Sequence, residues 1–323
     1  MRTNFKALIL VAFMVGQSAC STAISPTELA SPSPTQPILP KTPTPTSYQT
    51  HEPSRPAPTP NQTLRFAVIG DYGEDNATEN DVSQMILSWE PDLIITTGDN
   101  NYPVGAADTI DQTIGRYFHT FISPYSGIYG EGALENRFFP SLGNHDWITK
   151  QAQPYLDYFK LPGNERYYQF RRGPVAFFVL DSDAHEPDGV NQSSVQAEWL
   201  KKQLTLSTAP WNVIYFHHPP FSSAYHGSTT WMRWTFKEWG ADLVLSGHDH
   251  VYERLQIDNL TYIVNGLGGG SIYDFFLPLP GSVVRYNQDY GAMLMEADVD
   301  TLRLQFINRL GDVIDNATIL SNP

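Results

Sequence analysis

Five apolar runs, each ending abruptly in a polar turn of Asp, Asn or His, constrain this chain more than any other feature. Leu64 to Ile69 runs into Gly70-Asp71-Tyr72-Gly73, and Leu93 to Thr97 runs into Gly98-Asp99-Asn100-Asn101-Tyr102. Phe138 to Leu142 meets Gly143-Asn144-His145-Asp146, Asn212 to Phe216 meets His217-His218-Pro219, and Asp242 to Leu245 meets Ser246-Gly247-His248-Asp249-His250. Short apolar runs bounded by turn residues read as buried strands. Val175 to Leu180 reads the same way, with Asp181 at its tip. Helical spacing separates some of these runs: Val82, Met85, Ile86 and Trp89 mark a helix from Asn76 that stops before Pro91. Further helices are expected over 193–206 and near 229–239, and 255–320 is strand-rich. Alternating strands and helices followed by strands predict a layered α/β domain. In open α/β sheets, the crevice beyond the carboxyl ends of the strands is where ligands bind.

The oxygen and imidazole donors at those ends suit first-row metals such as iron, zinc and manganese better than calcium. Glycines in these turns allow sharp bends and close backbone approach. Charge points the same way. The 323 residues carry a net charge of −14, and from residue 63 onward 16 basic side chains face 32 acidic ones. Such a body offers no broad basic face to a nucleic-acid backbone, so general nucleic-acid binding is not expected. An anionic substrate needs strong local positive charge, for which bound metal ions are the obvious source.

The first 62 residues read differently. Arg2 and Lys6 precede an apolar stretch from Ala7 to Val15, followed by Gly16-Gln17-Ser18-Ala19-Cys20, the pattern of a secretory signal. That stretch is too short for a comfortable membrane span. Cys20, the chain's one cysteine, is either a lipid attachment point after small residues or incidental to an ordinary cleaved signal. Residues 21–62 are rich in Ser, Thr and Pro and cannot bury enough surface to offset ordering entropy, so they read as a spacer. The expected organisation is a signal over 1–20, a spacer over 21–62 and a catalytic domain over 63–323. Its expected location is secreted, periplasmic or cell-envelope, with a membrane reached only through Cys20.

With these blocks in order, the chain resembles the calcineurin-like metallophosphoesterases and, more narrowly, the small single-domain purple acid phosphatases. Asp99 with Tyr102 three residues later carries the narrower likeness. The resemblance runs from Leu64 to Leu320 and includes Gln196-Ala-Glu-Trp199-Leu200 and His226, nine residues beyond His217. It implies an αββα sandwich of two mixed sheets flanked by helices. It further implies that Asp71, Asp99, Tyr102 and His250 hold a ferric ion, with Tyr102 as phenolate. Asp99 would bridge to a second divalent ion (iron, zinc or manganese) held by Asn144, His217 and His248. His145 and His226 would bind phosphate and protonate the leaving group. The chain lacks the extra N-terminal domain of large plant members and the cysteine pair of animal members.

The implied function is an acid phosphatase that hydrolyses small phosphate monoesters through direct attack by hydroxide held on the metal pair. A phosphodiesterase or nucleotidase of the same superfamily, or a non-catalytic, metal-stabilised envelope protein, stands as the alternative. Other residues have plainer readings. His51, His119 and His185 are surface or turn histidines, His218 a pocket wall, and Asp181 a hydrogen-bonding group. Trp231, Trp234, Phe236 and Trp239 pack in the core. Asp146 and Asp249 would orient neighbouring histidines.

Overall fold

The computed structural model describes residues 63–321; the expected signal, Cys20, the spacer and His51 lie outside the described residues. In chain order the strands are β1 (Leu64–Ile69), β2 (Leu93–Thr96), β3 (Phe138–Pro140), β4 (Tyr168–Arg172), β5 (Val175–Val179), β6 (Trp211–Tyr215) and β7 (Leu243–Ser246). β8 (Tyr252–Ile257), β9 (Leu260–Asn265), β10 (Ser282–Tyr286), β11 (Gly291–Ala297), β12 (Thr301–Asn308) and β13 (Val313–Leu320) follow. They form two mixed sheets, ordered β13-β12-β11-β1-β2-β3 and β10-β8-β9-β7-β6-β5-β4. β1, β2 and β3 are parallel, as are β5, β6, β7 and β9. Pro140 sits on the edge strand β3, where a missing N–H removes no ladder bond from a neighbour.

The sheets pack face to face through aromatic rings. Phe66 meets Phe177 edge-on at 5.1 Å, Phe139 stacks on Phe170 at 3.8 Å, and Tyr252 stacks on Phe306 at 4.2 Å. Strand β5 is covered on both sides. Phe177 and Val179 enter the core between the sheets, while Ala176 and Phe178 join a second apolar cluster with Leu200 and Leu204. Double coverage is why that strand reads as an unbroken apolar run rather than an alternation.

Helix α1 (Ala77–Ser88) starts where Asn76 Oδ1 accepts the Glu79 N–H at 2.8 Å, and it buries Val82 and Ile86. Helix α2 (Asn144–Ile148) begins directly after β3, within the third polar turn. Helix α3 (Val195–Leu206) is capped by Ser194 and turns Ala197, Leu200 and Leu204 inward. One expectation is corrected here, and one strand went unmarked in the sequence. The segment near 229–239 is a 3₁₀ turn, Thr230–Met232, and a separate single helical turn, Phe236–Trp239. Arg233 Nε donates to Pro220 O at 2.9 Å and Trp234 Nε1 donates to Val190 O at 3.1 Å, which holds the intervening residues out of helical register. Strand β4, whose Gln169 and Arg171 are exposed, alternates too weakly in sequence to have been recognised.

Candidate metal centre and catalytic cleft

The parallel strands of both sheets end on one side of the sandwich. Turns after β1, β2 and β3 bring Asp71, Asp99 and Asn144; turns after β6 and β7 bring His217, His248 and His250. Carboxylates tie these turns to one another. Both Asp71 oxygens accept the His248 N–H at 3.0 Å, and Asp99 Oδ1 accepts the His145 N–H at 2.9 Å. Asp71, Asp99 and His248 hold left-handed backbone at φ 55°, 52° and 69°, each costing about 1 kcal/mol or more for a non-glycine residue. The glycines matter mainly through closeness. A Cβ on Gly143 would overlap Asp99 Oδ1, and one on Gly247 would overlap Asp71 Oδ2.

The donor atoms gather in two sets that share one oxygen. In the first, Tyr102 Oη lies 2.9 Å from Asp99 Oδ2, 3.4 Å from Asp71 Oδ1 and 3.1 Å from His250 Nε2. His250 Nε2 is 3.5 Å from Asp71 Oδ1. In the second, His217 Nε2 lies 3.3 Å from Asp99 Oδ2, 3.0 Å from Asn144 Oδ1 and 3.2 Å from His248 Nδ1. Donors about 2.0–2.2 Å from one cation stand roughly 3–3.5 Å from one another, so both sets have the spacing of a coordination shell.

Tautomers strengthen the fit. His217 Nδ1 faces Thr97 O at 2.9 Å and His250 Nδ1 faces Ser271 O at 2.6 Å, so each donates there and leaves a lone pair on Nε2. Those lone pairs point at carboxylate oxygens. Lone pair against lone pair in a buried site needs a cation between them. Protein groups alone answer with protons. Burial opposes charge on His217, but Asp99 and Asp71 outweigh it and push the ring up to about 10. Burial also opposes ionisation of Asp99, yet His217 and then His145 hold its carboxyl far below the usual range. Burial, then Asp99 and Asp71, push the Tyr102 hydroxyl well above its ordinary value, so its phenolate requires a metal ion.

His218 also lies near this cluster, its ring nitrogen within 4.8 Å of those of His217 and His248. Ser182 Oγ accepts the His218 backbone N–H and stands 2.9 Å from its Nδ1, so the hydroxyl ties the ring to the β5 turn. Burial, then the charge on His217, pull His218 down to about 3. It is buried and packs against His248 and Trp231, beside the second donor set.

His145 and His226 flank the two sets. His145 packs on Tyr102, with Nδ1 2.6 Å from Pro103 O and Nε2 4.0 Å from Asp99 Oδ2. His226 stacks on His248 at 4.4 Å. Asp249 accepts the His226 N–H at 2.7 Å, the Gly227 N–H at 3.1 Å and the Ser222 hydroxyl, so it positions His226 through the loop backbone. Asp146 does not orient a histidine ring. It accepts the Gly143 N–H at 2.9 Å and Asn100 Nδ2 at 2.8 Å, locking the third turn onto the second. Asn100, with Tyr72 and Thr96 donating to its Oδ1, is the hub that sequence reasoning missed. Asp181 bonds Trp147 Nε1 at 2.9 Å, and Gln196 brackets its backbone. Trp234 and Phe236 are core residues, whereas Trp231 is 45% exposed. His119 is half-buried against Tyr125, and His185 pairs with Asp183 at the surface. A cleft of about 470 Å³ opens over the first donor set, lined by Glu74, Tyr102, His145, His250, Ser271 and Tyr273.

Comparison with known proteins agrees with this geometry. The calcineurin-like phosphoesterase family matches residues 64–252. Tartrate-resistant acid phosphatase type 5 of Mus musculus is 28% identical over 251 residues, covering 66% of this chain and 74% of that protein. Purple acid phosphatase 15 of Arabidopsis thaliana is 30% identical over 253 residues, covering 64% of this chain and 45% of that protein. The solved purple acid phosphatase PPD1 of yellow lupin (Lupinus luteus) superposes with a TM-score of 0.66 at 20% identity, covering 82% of this chain and 55% of that one. GAP50, the anchor in the inner membrane complex of Plasmodium, superposes with a TM-score of 0.63 at 20% identity, covering 81% and 90%. At such identity the superpositions speak for the fold, and function rests on the site. The chain belongs to the calcineurin-like phosphoesterase family, as a purple acid phosphatase-like member of it.

Proposed function

We propose that this chain is an acid phosphatase that hydrolyses small phosphate monoesters at a dinuclear centre. Asp71, Asp99, Tyr102 and His250 would hold a ferric ion, and Asp99, Asn144, His217 and His248 a divalent iron, zinc or manganese. The observation that carries this reading is the pair of donor sets meeting at Asp99 Oδ2, each with coordination-shell spacing. When bound, two such cations neutralise phosphate charge and acidify a water molecule. The chain's own groups divide the remaining work. Asp99 and Asp71 fix the relative position of the turns, and the Thr97 and Ser271 carbonyls hold two ligand rings in the metal-binding tautomer. The Pro103 carbonyl holds His145 with Nε2 4.0 Å from Asp99 Oδ2, and His226, stacked on His248, is placed to protonate the departing alcohol or phenol.

Export from the cytoplasm, by a signal over residues 1–20 with Cys20 as a candidate lipid anchor, belongs to the same proposal. Mass analysis of the mature N-terminus would separate a lipidated Cys20 from a residue downstream. For the site, iron bound by the Tyr102 phenolate should colour the purified protein violet. Tyr102→Phe should bleach it. A colourless, iron-free protein with full phosphatase activity would overturn the ferric assignment.

A further inference from the structure

The mouth of the cleft has an aromatic side wall that the metal ligands do not require. Tyr273 stacks on His250 with centroids 4.2 Å apart and planes 6° from parallel. Its backbone is anchored on both sides, the N–H donating to His250 O at 3.1 Å and the carbonyl accepting from Asn287 Nδ2 at 2.9 Å. Tyr225, 63% exposed, leans on Tyr273 at 5.6 Å and on His226 at 5.2 Å. A half-buried ring thus covers one face of His250, with an exposed, tilted one beside it, next to the histidine suited to protonating a leaving group. Among the described residues that line the cleft none is Lys or Arg, and Glu74 stands at its edge. Outside the metal pair the mouth therefore offers π-faces and a negative charge.

We propose that Tyr273, with Tyr225 beside it, is the leaving-group platform, selecting phosphate monoesters of flat aromatic groups and rejecting substrates with a second phosphate. This deepens the phosphatase reading and rests on it for the position of the phosphoryl group. A flat ring gains offset stacking on Tyr273 that a puckered ring of equal size does not, an advantage of about two- to tenfold. A second phosphate would sit in the mouth beside Glu74 with no cationic side chain to receive it.

The test is calorimetric titration of the metal-loaded full chain with phosphonates, at an acid pH where phenylphosphonate and cyclohexylphosphonate are both monoanions. Wild type should bind the phenyl compound about two- to tenfold more tightly. Tyr273→Leu should bring that ratio close to one, and Tyr273→Phe should preserve it. An equal affinity in wild type, or a ratio that survives Tyr273→Leu, overturns the proposal. Should Tyr273→Leu not fold, Glu74→Gln decides: it must improve binding of methylenediphosphonate relative to phenylphosphonate by about threefold, and an unchanged ratio refutes the rejection of a second phosphate. These ligands are not hydrolysed, so the outcome stands apart from turnover. A flat-ligand preference without any phosphatase activity would sink the phosphatase assignment alone.

Discussion

Asp249→Ala separates positioning of a proton donor from mere stability. The carboxylate takes the N–H groups of His226 and Gly227 and the Ser222 hydroxyl, three bonds that together set the loop from 222 to 227. Hydrogen bonds to a charged acceptor contribute about 1.5–3 kcal/mol each, partly recovered if water reaches the buried space from the exposed side of the loop at Tyr225 and His226. A net loss of about 2–4 kcal/mol in local order follows, enough to release His226 from its stack on His248. General acids contribute about 10²–10⁴ in rate when the leaving group needs a proton. The variant should therefore lose about 10- to 100-fold in kcat for an alkyl phosphate, whose alkoxide leaves poorly. A nitrophenyl phosphate, whose phenolate leaves unaided, should lose less than about threefold. Asp249→Asn, which keeps one acceptor oxygen, should fall between. The assay is steady-state kinetics across a leaving-group series, with metal content checked by elemental analysis. Equal losses for good and poor leaving groups at unchanged metal content would refute the reasoning, because a structural defect does not discriminate by leaving-group basicity.

Three further outcomes follow from the same geometry. Gly247→Ala forces a Cβ against Asp71 Oδ2, and metal affinity in a competition assay should fall about 10- to 100-fold while the sheets, read by circular dichroism, stay intact. His218→Gln, which can still bond Ser182, should keep the metal content of wild type; loss of one ion would make His218 a ligand after all. Asp315 supplies a stability test against pH. Burial works against its charge, but the bonds from Arg254 and Tyr252 outweigh it, so its folded pKa lies below the unfolded one. Its stabilisation is then full above the ordinary carboxylate range and lost as pH falls through the folded value. Asp315→Asn should cost about 1–2 kcal/mol near neutrality and nothing at strongly acid pH; a cost independent of pH in thermal melts would contradict the assignment.

Residues whose chemistry is local were legible in the sequence. Asp71, Asp99 and Asn144 follow short buried strands, and such strands announce themselves by apolar runs bounded by glycine. His248 and His250 share one turn, so a single short segment brings both rings to the strand ends. What could not be read depends on contacts between segments. Asn100 looked like any turn asparagine until Asp146, Tyr72 and Thr96 closed around it. Tyr273 lies 23 residues beyond His250 in an irregular stretch, and no periodicity marks its ring as part of the cleft. The aromatic spacing from Trp231 to Trp239 suggested one helix, but backbone carbonyls of Pro220 and Val190 drew Arg233 and Trp234 into tertiary bonds. Asp146 follows His145 directly, yet it holds backbone rather than a histidine ring, because its side chain turns back to the N–H of Gly143.

Anomalous X-ray scattering from crystals of the metal-loaded protein tests the centre most directly. Two peaks should flank Asp99 Oδ2, about 3.5–4 Å apart. The one among Asp71, Tyr102 and His250 should respond at the iron edge, and the other should lie among Asn144, His217 and His248. A single peak, or any strong peak held by His218 in place of His217, would contradict the account.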